Sequence, residues 1–229
     1  MKHIKALLFD KDGTLFDFQA TWGAWAESMI AELADADEAL QSAMADALEF
    51  DRSTHLFLPS SPVIAGTGSE VSALIAPLLS GTDIAQLEAR IADAASRAPL
   101  VSPVPLRPLL SRLRRAGYRL GVATNDYESV ARDHIRTVGD LFDFVAGFDS
   151  GFGGKPEPGM LLAFANACAM PPSQVLMIGD STHDLIAGKA AGMSTLAVLT
   201  GVASAPDLVA YADEILPDIG HLPDLLGVT

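Results

Sequence analysis

A single cysteine, Cys168, leaves the chain no internal disulfide to form. Its neighbours Ala165, Ala167 and Ala169 mark it as a small apolar filler in a helix rather than a catalytic thiol. Lysine is scarce as well, with five in 229 residues and none across residues 17–100. Lys and Arg total 15 against 29 Asp and Glu, so the net charge of -14 opposes general affinity for nucleic acid or an anionic membrane. The same field repels phosphorylated ligands at long range, so phosphate chemistry here requires local reversal by a cation, placed basic groups and backbone N–H donors. No uncharged stretch reaches the ~18 residues that would suggest a membrane span, and MKHIKALLFD holds too short an apolar run for a signal peptide. A cytoplasmic protein is the expectation.

What is present is a folding composition, 49% hydrophobic and 19% charged, without long low-complexity runs. The length suits one large domain, or a core domain with a smaller insert. Residues 4–9 form a short apolar run ended by Asp10, with Lys11, Asp12 and Gly13 as turn-formers, which reads as a buried strand delivering its end to a loop. Residues 17–100 change to an Ala-rich helical pattern, as in Trp22, Trp25, Met29, Ile30 and Leu33, and show no strand signal. Prolines and glycines break that region near residues 58–68. Thr67 and Glu70 then have capping-box spacing for a restarting helix, and another helix is expected over residues 83–97.

From residue 103 onward the pattern becomes alternating. Helices are predicted at 109–116, 129–138, 159–169 and 185–191, with strands at 119–124, 144–146, 175–179 and 195–199 between and after them. A short run near Ile215 and a terminal helix follow. An α/β fold with an all-helical insert after its first strand is the simplest architecture.

Four places along this pattern carry chemistry. Asp10 and Asp12, one residue apart at a strand end, offer two carboxylates that invite a cation, within the restrictive run FDKDGTLFD. Thr124 and Asn125 stand beyond the next core strand, where loops of an open α/β sheet gather. Lys155 lies in the glycine-rich stretch GFGGKPEPG. The strand at 175–179 ends in Asp180, Ser181, Thr182, His183 and Asp184, a second acidic pair that helix capping alone could explain. Singly each has an ordinary reading as turn, cap or solvated loop; in succession they point to phosphoryl transfer.

Together the four elements resemble the signature motifs of the haloacid dehalogenase superfamily, and DLIAGKAAGM is similar to its phosphoglycolate phosphatase branch. The resemblance implies a Rossmann-like parallel-sheet α/β core, residues 1–16 and 101–229, with an inserted all-helical cap domain at 17–100. It implies Asp10 as nucleophile and Asp12 as general acid and then base. It places Mg2+ on the Asp10 carboxylate, the Asp12 main-chain carbonyl and Asp180, with Asp184 holding the metal's water shell or Lys155. Thr124, Asn125 and Lys155 would bind the phosphoryl group of a small phosphorylated metabolite. An acid at position 12 suits an ester leaving group and disfavours dehalogenation, and the lysine-free insert excludes phosphonatase chemistry through a cap lysine.

The insert would close over the site and set specificity, with the Gly66 to Ser69 loop as an anion contact and Arg52 or His55 as a carboxylate contact. Trp22 and Trp25 read as a packed helix face, and His183 occupies a variable position. A phosphatase with a phosphoglycolate-like substrate is the leading expectation. A phosphoglucomutase-like phosphotransferase shares the same core and remains open. A receiver-like phospho-switch or a binding module is the non-enzyme alternative, and oligomeric state is left unassigned.

Overall fold

The computed structural model describes residues 3–228; residues 1, 2 and 229, the outermost ends of the expected core, lie outside them. The chain opens with β1 (Ala6–Phe9), leaves for α1 (Phe18–Ala34), α2 (Glu38–Ala47), β2 (Phe50–Asp51), β3 (Leu56–Phe57), α3 (Gly68–Ile75) and α4 (Ile84–Ser96), then returns. It continues through α5 (Leu106–Arg115), β4 (Arg119–Ala123), α6 (Glu128–His134), β5 (Phe144–Ala146), α7 (Gly159–Ala167) and β6 (Val175–Gly179). The last elements are α8 (Thr182–Ala190), β7 (Ser194–Val198), α9 (Ala205–Leu208), β8 (Glu214–Leu216) and α10 (Leu222–Leu226).

Six strands form a parallel sheet in the order β5-β4-β1-β6-β7-β8. Helices cover both faces, which is why the central strands are apolar at every position instead of alternating. Leu7 and Phe9 of β1 point with Leu120, Val122, Leu176 and Ile178 into the cluster under α5 and α10. Ala6 and Leu8 point the other way, with Met177, Met160, Phe164 and Ala187 under α7 and α8. Burying each such Leu or Phe contributes about 1.5–3 kcal/mol. Phe9 is level with Val122 of β4 and Ile178 of β6. The residues just past all three strands therefore meet at one edge of the sheet.

The insert after β1 gathers its own apolar cluster, including Trp22, Ile30, Met44, Ile75 and Leu87, and Val130 of α6 joins it from the core. Side-chain caps start its helices: the reciprocal Thr67 and Glu70 box on α3, as the sequence suggests, and Asp17 on α1. One feature departs from an all-helical reading. β2 and β3 pair antiparallel with Phe50 opposite Phe57, ring centroids 5.0 Å apart. Gln19 of α1 secures this ribbon, its amide donating to the Phe57 carbonyl and accepting from the Phe57 N–H, each at 2.9 Å. Two residues per strand are too few to show alternation. α6 also stops at His134, earlier than its periodicity predicts; Ile135 and Val138 still bury against the sheet through tight turns. Among the described residues no helix is long and apolar enough to cross a membrane.

Candidate active site

Asp10 continues the β1 ladder by one hydrogen bond, its N–H donating to the Ile178 carbonyl at 2.8 Å. The chain then turns, with Gly13 at φ +78°. A β-carbon at Gly13 would lie 2.2 Å from Asp180 Oδ2, so only glycine lets the turn close over that carboxylate. Gly13→Ala should therefore lower stability by about 1–2 kcal/mol from the left-handed backbone alone, and displace Asp180 as well. Denaturant melts check this, the expected result being a lower midpoint.

Asp10, Asp180 and Asp184 can bring one carboxylate oxygen each within 4.8 Å of one another, all three buried. Lys155, 6% exposed, donates to Asp10 Oδ1 and Asp184 Oδ1 at 2.6 Å each. Asp184 is fixed from its other oxygen, which accepts from the Ser181 N–H at 3.0 Å and hydroxyl at 2.7 Å in the capping box that begins α8. One ammonium faces three carboxylates. Burial and the nearby Asp184 push Asp10 up to about 7, with Lys155 opposing. Burial, Asp184 and Asp10 likewise raise Asp180 far above the usual carboxylate range. Burial disfavours charge on Lys155, but Asp10 and Asp184 outweigh it and raise the ammonium. A surplus of buried carboxylate oxygens is the donor set of a hard divalent cation.

Thr124 is buried at the end of β4, and its hydroxyl accepts from the Asp126 N–H at 3.1 Å. Asn125, expected among the substrate contacts, has a different engagement. Its amide donates to the Ala65 and Lys155 carbonyls at 2.9 Å each and accepts from the Lys155 N–H at 2.8 Å. Both amide hydrogens are taken up by backbone, so Asn125 ties the Lys155 loop to the insert at the border of the cavity.

Sequence reasoning missed Lys11, which it placed in a polar turn. Lys11 is fully buried. Its Nζ lies 2.7 Å from Asp12 Oδ2, 3.1 Å from Asp126 Oδ2 and 3.0 Å from His134 Nδ1, and 5.2 Å from the centre of a Trp22 ring. An ammonium can only donate, so His134 Nδ1 accepts and Nε2 carries the proton, which it gives to the Ala95 carbonyl of α4 at 2.8 Å. Burial and Lys11 hold that imidazole down to about 4, in keeping with a neutral ring. Burial opposes the charge on Lys11, yet Asp12 and Asp126 raise it. The signal available in sequence was a lysine between two aspartates in a chain with few lysines.

A cavity lies between the two parts of the chain. Asp10, Asp12, Thr124 and Lys155 line its core side, and Trp22 and Trp25 its insert side. The tryptophans, read as a packed helix face, do both: they are buried at 8% and 5% and still border the cavity. His183, Gly66 and Gly68 also reach it, whereas Arg52 and His55 do not. Arg52 is instead paired with Glu27 at 2.8 Å.

Comparison with known proteins agrees with this geometry. A family model described as haloacid dehalogenase-like hydrolase matches residues 4–192. The phosphoglycolate phosphatase of Nitrosospira multiformis is 30% identical over 237 residues, 97% of this chain and 96% of that one. The pyrophosphatase PpaX of Bacillus velezensis is 31% identical over 122 residues, 52% of this chain; the match spans 56% of that relative. Among solved structures, a HAD phosphatase from Thermococcus onnurineus superposes with a TM-score of 0.68 at 22% identity, covering 98% and 99% of the two chains. CbbY from Rhodobacter sphaeroides, solved with phosphate, gives 0.69 at 22% identity, covering 96% of each. The chain belongs to the haloacid dehalogenase-like hydrolases.

Proposed function

We propose that the chain is a Mg2+-dependent phosphatase of small phosphomonoesters, working through an aspartyl-phosphate on Asp10. The observation that carries this reading is Asp10 at the sheet edge, held by Lys155 beside the Asp180 and Asp184 carboxylates and opening on a cavity that Thr124 and Asp12 also line. Residues 17–100 act as the cap, and residues 1–16 with 101–229 as the catalytic core.

Asp10 attacks phosphorus and the ester oxygen leaves, taking a proton from Asp12. Water then attacks the phosphorus of the aspartyl-phosphate, Asp12, now a base, takes its proton, and the bond from phosphorus to the Asp10 oxygen breaks, releasing inorganic phosphate and the free carboxylate. Lys11 keeps the Asp12 carboxyl in place for both transfers. Thr124 and Lys155 stabilise the phosphoryl oxygens as charge builds on them. The Asp10 and Asp180 carboxylates with the Asp12 main-chain carbonyl would hold Mg2+, Asp184 supporting its water shell. Bound there, the ion neutralises charge between nucleophile and phosphoryl group. The relatives named phosphoglycolate phosphatase make phosphoglycolate the reference ester.

Phosphate release from a panel of phosphomonoesters, with Mg2+ and with chelator, tests the proposal; release that chelator leaves intact would overturn the metal's part in it. A binding readout accompanies it. Asp10 has a folded-state value near 7, above its ordinary 3.8, so the folded protein retains that proton over pH 3.8–7. Stability from this group is present below pH 3.8 and lost as pH rises through 7. Metal-free protein should therefore melt lower at pH 8 than at pH 5, and Mg2+ should raise the melting temperature more at pH 8. An equal effect of Mg2+ at the two values would remove Asp10 from the metal site.

A further inference from the structure

We infer that the substrate is a phosphomonoester whose alcohol portion is compact, uncharged and largely apolar, a conclusion that rests on the phosphatase reading of the Asp10 site. The cavity reaches from the phosphoryl-handling side chains to a wall formed by the insert. That wall is Phe18, Trp22 and Trp25 of α1, Val63 and Ile64 of the loop before α3, Val71 of α3 and Ile91 of α4, completed by alanine and glycine. No residue that the insert contributes to the lining carries a charge.

A second anionic group on the substrate, such as a carboxylate, would have to leave water and meet a cation or several N–H donors in return. Each candidate for that role is engaged elsewhere. Arg52 pairs with Glu27 and Glu38 away from the cavity. The start of α3 is occupied by its own capping box: Glu70 accepts from the Thr67 N–H at 2.7 Å, and the Glu70 N–H goes to the Thr67 hydroxyl. That arrangement sets a carboxylate beside the helix start, where it repels a second anion. Lys11 lies beneath Trp22 with Asp12 and Asp126, and Lys155 is shared by Asp10 and Asp184. His183 and the unpartnered Tyr127 hydroxyl, both on the core wall, are the remaining groups that could face an anion, and neither is a lysine or arginine.

Apolar surface on the alcohol is favoured instead, because it replaces water against the indole rings and Ile91. The wall also contains one unanswered donor, since Trp25 Nε1 is buried with no hydrogen-bond partner. A neutral acceptor on the alcohol, such as an ether, carbonyl or hydroxyl oxygen, suits it; a full charge is not required. The space inside the cavity open to water-sized groups is about 80 Å³, several times what one water needs. A small ring or short branched chain is the scale of occupant.

Three esters with the same benzylic leaving oxygen test the inference: benzyl phosphate, 4-carbamoylbenzyl phosphate and 4-carboxybenzyl phosphate. The last two have the same size and differ in charge. We expect kcat/KM for the carbamoyl ester to exceed that for the carboxy ester at least tenfold, mostly through KM, and benzyl phosphate to surpass phosphoglycolate. A carbamoyl-to-carboxy ratio near one, or a preference for the carboxylate, would overturn the inference, most directly if that preference vanished in His183→Gln. Binding is read separately from chemistry. Both tryptophans of the chain line the cavity, so in Asp10→Asn with Mg2+ their emission should respond to the carbamoyl ester at roughly tenfold lower concentration than to the carboxy ester. Selective binding without hydrolysis of any ester by the parent protein would sink the phosphatase reading and leave the cavity's selectivity standing. Hydrolysis with the opposite selectivity would do the reverse.

Discussion

Asp10→Asn is expected to reduce phosphate release by on the order of 10⁴-fold or more, the scale on which loss of a covalent nucleophile is felt. At 1.36 kcal/mol per factor of ten this is about 5.5 kcal/mol of barrier. The amide has nearly the shape of the carboxylate, and its oxygen can still accept from Lys155, now 2.6 Å from Asp10 Oδ1. What it cannot do is attack phosphorus. The fold should survive, because the parent carboxyl is disfavoured as an anion by burial and by Asp184, which push it to about 7. At pH 8 without metal the variant should melt no lower than the parent, and it should respond less to Mg2+. Phosphate release and a melting curve on the same preparation check both halves. Activity near the parental value would remove Asp10 as the nucleophile, whatever the melt shows.

Lys11→Met should produce the largest loss of stability of any single change discussed here. Methionine fills similar space, so packing changes little. The ammonium, however, is the counter-charge of Asp12 and Asp126, whose side chains are 15% and 12% exposed. Removing one partner of a buried ion pair costs about 3–5 kcal/mol, a large share of the 5–15 kcal/mol typical of a whole domain. Denaturant unfolding at pH 7 measures it. The deficit should shrink as pH falls toward 4, because protonation discharges the stranded Asp126 carboxyl, which burial already raises in the parent. Lys11→Met with Asp126→Asn should recover part of the loss, since one of the two uncompensated charges is gone. A loss below 1 kcal/mol would mean that water reaches the pair more freely than its burial implies.

The strand ends were readable because their signal is local. An apolar run followed by Asp10, Thr124 or Asp180 says where a strand stops and what stands on its end, and the parallel register then assembles them. The box at Thr67 and Glu70 was readable for the same reason. Lys11 was not, because its burial depends on Asp126 and His134, more than a hundred positions away. The pairing of Arg52 was hidden for a related reason: Arg52 stands in the turn between β2 and β3, its partner Glu27 belongs to α1, and nothing near residue 52 announces it. The tie that Asn125 makes between the insert and the Lys155 loop was hidden too, because Ala65 and Lys155 reach it only in the fold. The two-residue strands around Phe50 and Phe57 were hidden by their shortness.

The sheet order also governs how the protein is made. β1 leaves the ribosome before its partners, which begin at Arg119 and Val175, so for on the order of ten seconds of synthesis it has no strand to pair with. The insert has no such wait. Its helices meet one another in sequence order, and most of its apolar cluster is complete before β4 has been translated. The strand bearing Asp10 is thus an exposed apolar edge through the middle of synthesis, tethered to an insert able to collapse beside it. Asp10 emerges well ahead of its surroundings, which are complete only after β6 and α8, with Asp180 and Asp184, have followed. A nascent chain arrested before β6 should carry a compacted insert on an unpaired β1, and should engage holdase chaperones that released, full-length protein does not.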